Sequence, residues 1–67
     1  MNEDTSQREK SITVKYMYIR LFFSDNEWRV EALNLKNGDM PHTCNSVRYE
    51  PAEECYNWLI TKYSKKE

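Results

Sequence analysis

SITVKYMYIRLFFSDNEWRVEALNLK, residues 11–36, sets the architecture of this chain. Its first part, residues 11–24, is rich in β-branched and aromatic side chains and contains neither Gly nor Pro. That composition suits a pleated, half-buried surface and predicts one long strand. Val14, Met17, Tyr18, Leu21 and Phe22 also recur at helical spacing, but the strong helix formers that would support that reading are scarce. Asp25-Asn26 then reads as a two-residue hairpin turn. With those two residues as the loop, Ser24 faces Glu27, Phe23 faces Trp28, Phe22 faces Arg29, Leu21 faces Val30, Arg20 faces Glu31 and Ile19 faces Ala32. The pairing sets large apolar groups together and Arg20 opposite a carboxylate, as cross-strand energetics favour. A slip of one residue would undo both.

The second strand runs over residues 27–36 and stops at Asn37-Gly38, a strong two-residue turn signal. A third strand is expected over residues 42–49, with Pro41 confining its start to an edge or bulge. Pro51 suits the first position of a helix, and Glu53 and Glu54 favour its positive end. Ala52, Cys55, Tyr56, Leu59, Ile60 and Tyr63 follow at helical spacing and form an apolar stripe. Lys62, Lys65 and Lys66 lie at the end, where cations are favoured. Residues 1–10 lack apolar periodicity and read as a disordered tail; residues 65–67 read as a frayed basic one. The expected fold is therefore α+β: a three-stranded antiparallel β-meander with one C-terminal helix on one face, within a single domain spanning residues 11–64.

The totals bound the function. A chain of 67 residues makes one domain, and a chain this short buries only roughly 60% of its unfolded surface. With 39% hydrophobic and 13% aromatic residues it is globular rather than a solvated tail. A net charge of −1 and a pI of about 5.8 argue against a dedicated duplex binder. The first ten residues lack the apolar core of a signal peptide, and the apolar stretch around residues 16–23 is interrupted by Arg20 and too short to span a bilayer. The chain is expected in the cytoplasm, with Cys44 and Cys55 reduced; a bridge between them would go with secretion.

Chemistry finds little to stand on. Gly38 is the single glycine, which excludes Gly-rich phosphate cradles. His42 is the single histidine, so Ser-His-Asp or Cys-His catalysis would rest on it alone. Zinc would need a fourth ligand beside His42, Cys44 and Cys55, and Asp39 is a poor one. Adjacent Glu53 and Glu54 diverge on a helix and serve its start rather than acid-base work. No catalytic residue, cofactor or metal is expected. The order β-β-β-α, with two glutamates opening the helix, is similar to the HicB-type antitoxin half-domain. Residues 49–55 lack the Gly and the Ala of that pattern, so no functional residue is carried over.

One feature points to a role. The helix should cover Met17, Ile19, Leu21 and Phe23 with Trp28, Val30 and Ala32. Alternation then throws Ile12, Val14, Tyr16, Tyr18, Arg20 and Phe22 onto the other face, joined by Arg29, Glu31, Leu33 and Leu35. An open antiparallel sheet normally carries polar residues there, and an exposed apolar patch of this kind calls for a cover. Tyr16, Tyr18, Arg20, Phe22, Arg29, Leu33 and Leu35 are the expected partner-binding residues, with Trp58 on the helix rim as a secondary contact. The expected function is a small non-catalytic protein-binding module or inhibitor, homodimeric or bound to another protein. The alternative is single-stranded nucleic acid stacking on the same aromatics, although the RNP-type sequence pattern is missing. A mobile-element accessory protein fits the length.

Overall fold

The computed structural model describes residues 8–65. The chain runs β1 (Lys10–Val14), β2 (Met17–Ser24), β3 (Glu27–Asn34), β4 (His42–Ser46) and α1 (Tyr49–Ser64). The strands form one antiparallel sheet in the order β1-β2-β3-β4, and α1 packs across one face, mainly on β2, β3 and β4. The class is α+β, with four strands where three were expected.

The extra strand comes from residues 11–24, which do not form a single strand. The chain reverses at Lys15-Tyr16, where Lys15 takes a φ of 56°. An uninterrupted strand would outrun β3 and leave Ile12 and Val14 without partners. Folding back pairs Ile12 with Ile19 and Val14 with Met17. Paired residues share a face, so both side chains move to the helix side, opposite to the expectation. The strand also begins at Lys10, inside the stretch read as a tail; the rest of that expectation, residues 1–7, lies outside the described residues.

The central hairpin follows the sequence pattern. Asp25 and Asn26 take φ values of 55° and 65°, the left-handed pair that a type I′ turn needs and that short polar side chains tolerate best. Every pairing read from the sequence is present, from Ser24 opposite Glu27 to Ile19 opposite Ala32.

The next connection differs. β3 ends at Asn34, not Lys36, and Asn37-Gly38 is not a two-residue turn. The Asn34 side-chain oxygen accepts from the backbone N–H groups of Lys36 (2.8 Å) and Asn37 (3.3 Å), and its carbonyl accepts from Gly38 N–H at 2.7 Å. Asn34 N–H in turn donates to the Asp39 carbonyl at 2.7 Å. A four-residue loop, 35–38, closes between Asn34 and Asp39, with Gly38 at φ 80° supplying the left-handed residue. Asn34 competes successfully for the backbone, as Asn side chains do at turns.

β4 stops at Ser46, and α1 starts two residues before Pro51. Pro51 is thus the third helical residue, where its missing N–H is one of the first-turn donors that have no intrahelical acceptor. The N-cap is Arg48, extended at φ −103° and ψ 149°, without a side-chain cap bond. The apolar stripe of the helix is as read: Ala52, Tyr56 and Leu59 are buried, and Cys55, Ile60 and Tyr63 pack around them. They close on Met17, Ile19, Leu21, Trp28, Val30 and Ala32. Trp28 sits between Phe23 and Tyr49 in two edge-to-face contacts, with centroids at 5.2 and 4.9 Å. Among the described residues no helix is long and apolar enough to cross a membrane.

Candidate functional site: the open face of the sheet

The face of the sheet away from α1 is built by alternation. Three cross-strand pairs of β2 and β3 run down its middle: Tyr18 with Leu33, Arg20 with Glu31, and Phe22 with Arg29. The outer strands add polar residues, Ser11 and Thr13 from β1 and Thr43 and Asn45 from β4, by the same parity. The result is a central row of apolar and arginine side chains between polar margins. Tyr18, Phe22, Arg29 and Leu33 are half-buried and Arg20 is exposed, with no second layer of described residues over them.

The predicted residues do not all share this row. Tyr16 and Leu35 lie in turns at one end of the sheet, linked by the Leu35 N–H donating to the Tyr16 carbonyl at 2.8 Å. Both are exposed, Tyr16 by 40% and Leu35 by 54%, so they extend the surface as a rim. The Lys36 ammonium sits 5.1 Å from the Tyr16 ring centre. Met40, which strand alternation could not flag because it belongs to a loop, joins the face: with Tyr18, Arg20, Glu31 and Leu33 it lines a shallow depression of about 210 Å³. Ile12 and Val14, expected here, are on the helix side.

The charges of the face are matched within it. Arg20 pairs with Glu31 at 3.3 Å and lies over the Phe22 ring at 4.1 Å. Arg29 pairs with Glu27 at 3.1 Å and with Asp25 at 3.6 Å, and Asn45 donates to Glu27 at 3.2 Å. Exposed pairs of this sort add little stability, roughly 0–1 kcal/mol each. Their effect is to leave the face without excess positive charge.

Trp58 lies elsewhere, on the outer side of α1 toward β4. Its ring meets His42 edge-on at 5.9 Å, carries the Lys62 ammonium at 5.5 Å, and remains 56% exposed. His42 also meets Tyr63 at 5.8 Å. Cys44 and Cys55, expected as separate thiols, are joined in a disulfide that ties β4 to the helix. Of the three residues weighed as zinc ligands, the cysteines are bonded to each other and His42 meets the Trp58 and Tyr63 rings edge-on. Among the described residues no group of His, Cys, Asp and Glu is arranged to hold a metal.

Glu53 does not serve the helix start alone. It accepts from Lys10 Nζ at 3.1 Å and from the Tyr49 hydroxyl at 3.2 Å, tying β1 to α1. The Glu53 hydrogen bond holds the Lys10 ammonium above its ordinary range, and the same bond holds the Glu53 carboxyl below its own. Burial pushes the Tyr56 phenol up. None of these groups faces the open side of the sheet.

Compared with family models, with curated proteins and with solved structures, the chain matches none significantly, and the likeness to the HicB-type half-domain is one of element order that the fourth strand weakens.

Proposed function

We propose that this chain is a small non-catalytic protein-binding module that acts through the open face of its sheet and works as a homodimer. One observation carries the reading: Tyr18, Phe22, Leu33 and the two arginines form a central row with polar margins and, among the described residues, nothing over it. That is how contact surfaces are built, with aromatic, Met and Arg residues at the centre and a solvated rim. Tyr16, Leu35 and Met40 lengthen the row at one end. A partner that fits would be a protein presenting apolar side chains and charges of both signs. Single-stranded nucleic acid is disfavoured because phosphate recognition needs free positive charge, while Arg20 and Arg29 are each matched by carboxylates.

Affinity capture from the native cell, repeated with Tyr18→Asp and Phe22→Asp, tests this. A partner protein held by the wild type, lost with both variants, and bound again as a purified component supports the reading. Capture of the same partner by both variants overturns it, as would salt-sensitive binding of labelled oligonucleotides abolished by the same substitutions. Compartment is read in the same preparation. Cytoplasmic chains keep Cys44 and Cys55 as thiols that alkylate directly, whereas an oxidising compartment preserves the bond until it is reduced.

A further inference from the structure

We propose that the outer edge of β1 pairs with β1 of a second copy, antiparallel, about a two-fold axis through Ile12. The proposal rests on the homodimeric part of the function above and moves the second copy from the face of the sheet to its edge.

The hydrogen-bonding parity of β1 is set by its hairpin. In a hairpin with a two-residue loop, the pair next to the turn exchanges both backbone bonds, and alternate pairs do so thereafter. Val14 opposite Met17, Ile12 opposite Ile19 and Lys10 opposite Leu21 are those pairs. Ser11 and Thr13 therefore turn their N–H and C=O groups outward, away from β2. The next donor of β2 in the same series, Phe23 N–H, has no strand partner and is taken by the Glu9 carboxylate at 3.1 Å. β1 carries neither proline nor bulge, two of the devices that protect an edge, and relies on being short, at five residues. Its one inward lysine, Lys10, is already engaged by Glu53.

The side chains agree with the backbone. Ile12 points to the helix side, but α1 packs mainly on the other three strands, so Ile12 is 40% exposed. A two-fold axis at Ile12 sets it against Ile12 of the partner subunit as a non-hydrogen-bonded pair, the arrangement in which side chains approach most closely. Ser11 then exchanges both backbone bonds with Thr13 of the partner subunit, and the reverse. The paired segment ends before Glu9 and Lys15, whose charged groups are held within their own chain by Phe23 N–H and the Lys65 carbonyl. β4 offers no such match: Pro41 precedes it, the disulfide ties its centre to α1, and its outward-bonding residues, Thr43 and Asn45, flank no exposed apolar side chain. Edge pairing also leaves the open faces of both copies free, on one side of a continuous sheet, for a different protein.

Sedimentation of the full chain across the micromolar range tests the inference with three variants. Thr13→Pro removes an outward N–H and no bond of the hairpin; Ile12→Asp charges the axis; Tyr18→Asp charges the open face. The expected result is a wild-type dimer whose dissociation constant rises at least tenfold with Thr13→Pro and with Ile12→Asp and is unchanged by Tyr18→Asp. A dimer lost only with Tyr18→Asp would place the second copy on the open face, which overturns the edge pairing and leaves the homodimer standing. A wild-type monomer throughout the range overturns both. Hydrogen exchange keeps the test independent of how the variants fold: the Ser11 and Thr13 amides should become protected as wild-type concentration rises, and fast exchange at all concentrations sinks the proposal.

Discussion

Lys15 and Gly38 take the same kind of backbone conformation with opposite chemistry. Lys15, at φ 56°, carries a Cβ into the left-handed region, a strain of about 1–2 kcal/mol. Gly38, at φ 80°, carries none. Lys15→Gly is expected to raise stability by several tenths of a kcal/mol, the relief of strain being partly offset by the larger entropy of the unfolded chain. Gly38→Ala is expected to lower it by about 1 kcal/mol. No atom lies within 4 Å of an added Cβ there, so that cost is conformational and not steric. Urea midpoints at unchanged slope measure both, and a stabilising Gly38→Ala would contradict the role given to that loop. Asn34→Ala, which removes the acceptor for two loop N–H groups, should cost about 1 kcal/mol.

The helix is the element with the most room for improvement. Its N-cap, Arg48, has the extended backbone of a cap but no side-chain bond to the first turn, and its positive charge opposes the helix dipole. Arg48→Asp should add about 1 kcal/mol through a capping bond and a favourable charge, seen as a raised thermal midpoint. Helix and sheet are held together by the buried core around Leu21, Val30 and Leu59 and by the Cys44–Cys55 bond across a separation of 11 residues. Closing a loop of that size in the unfolded chain is worth roughly 2–3 kcal/mol, a large share of the stability of so small a domain. Reduction, or Cys55→Ala, is therefore expected to lower the urea midpoint markedly, with the helix signal and the Trp28 environment changing together.

For the molecule as a whole, the titrating contacts between β1 and α1 predict a stability plateau with two falling sides. Glu53 is held below the ordinary 4.5 of a glutamate by Lys10, so its contribution is present above that value and is lost as pH falls through the lowered one. Lys10 is held above its ordinary 10.5 by Glu53, and Tyr56 above 10.0 by burial. Their contributions are complete below those values and are lost as pH rises through the raised ones. Thermal midpoints from pH 3 to pH 11 should show both limbs, and Glu53→Gln should flatten the acid one. An acid limb unchanged by Glu53→Gln would remove the Lys10–Glu53 contact from the account.

Residues 17–34 and the helix stripe were legible in the sequence because each carries a local rule that its surroundings also obey. Asp-Asn suits the left-handed turn, alternation separates core from surface, and the spacing of Ala52, Tyr56 and Leu59 matches one helix face. The break at Lys15-Tyr16 was not legible, since neither residue favours positive φ. What decides it is the pairing of Ile12 and Val14 with the strand that follows, a gain that exists only once β2 is in place. The same holds for Asn37-Gly38, whose turn signal yields to the side chain of Asn34, and for the cysteines, which meet because β4 and α1 pack side by side. Pairing across the central hairpin and most of the core follow from residue order alone. The number of strands, the side that Ile12 faces and the make-up of the open surface depend on the folded chain, because strand reversal and parity follow from long-range partners rather than from the residues at the turn.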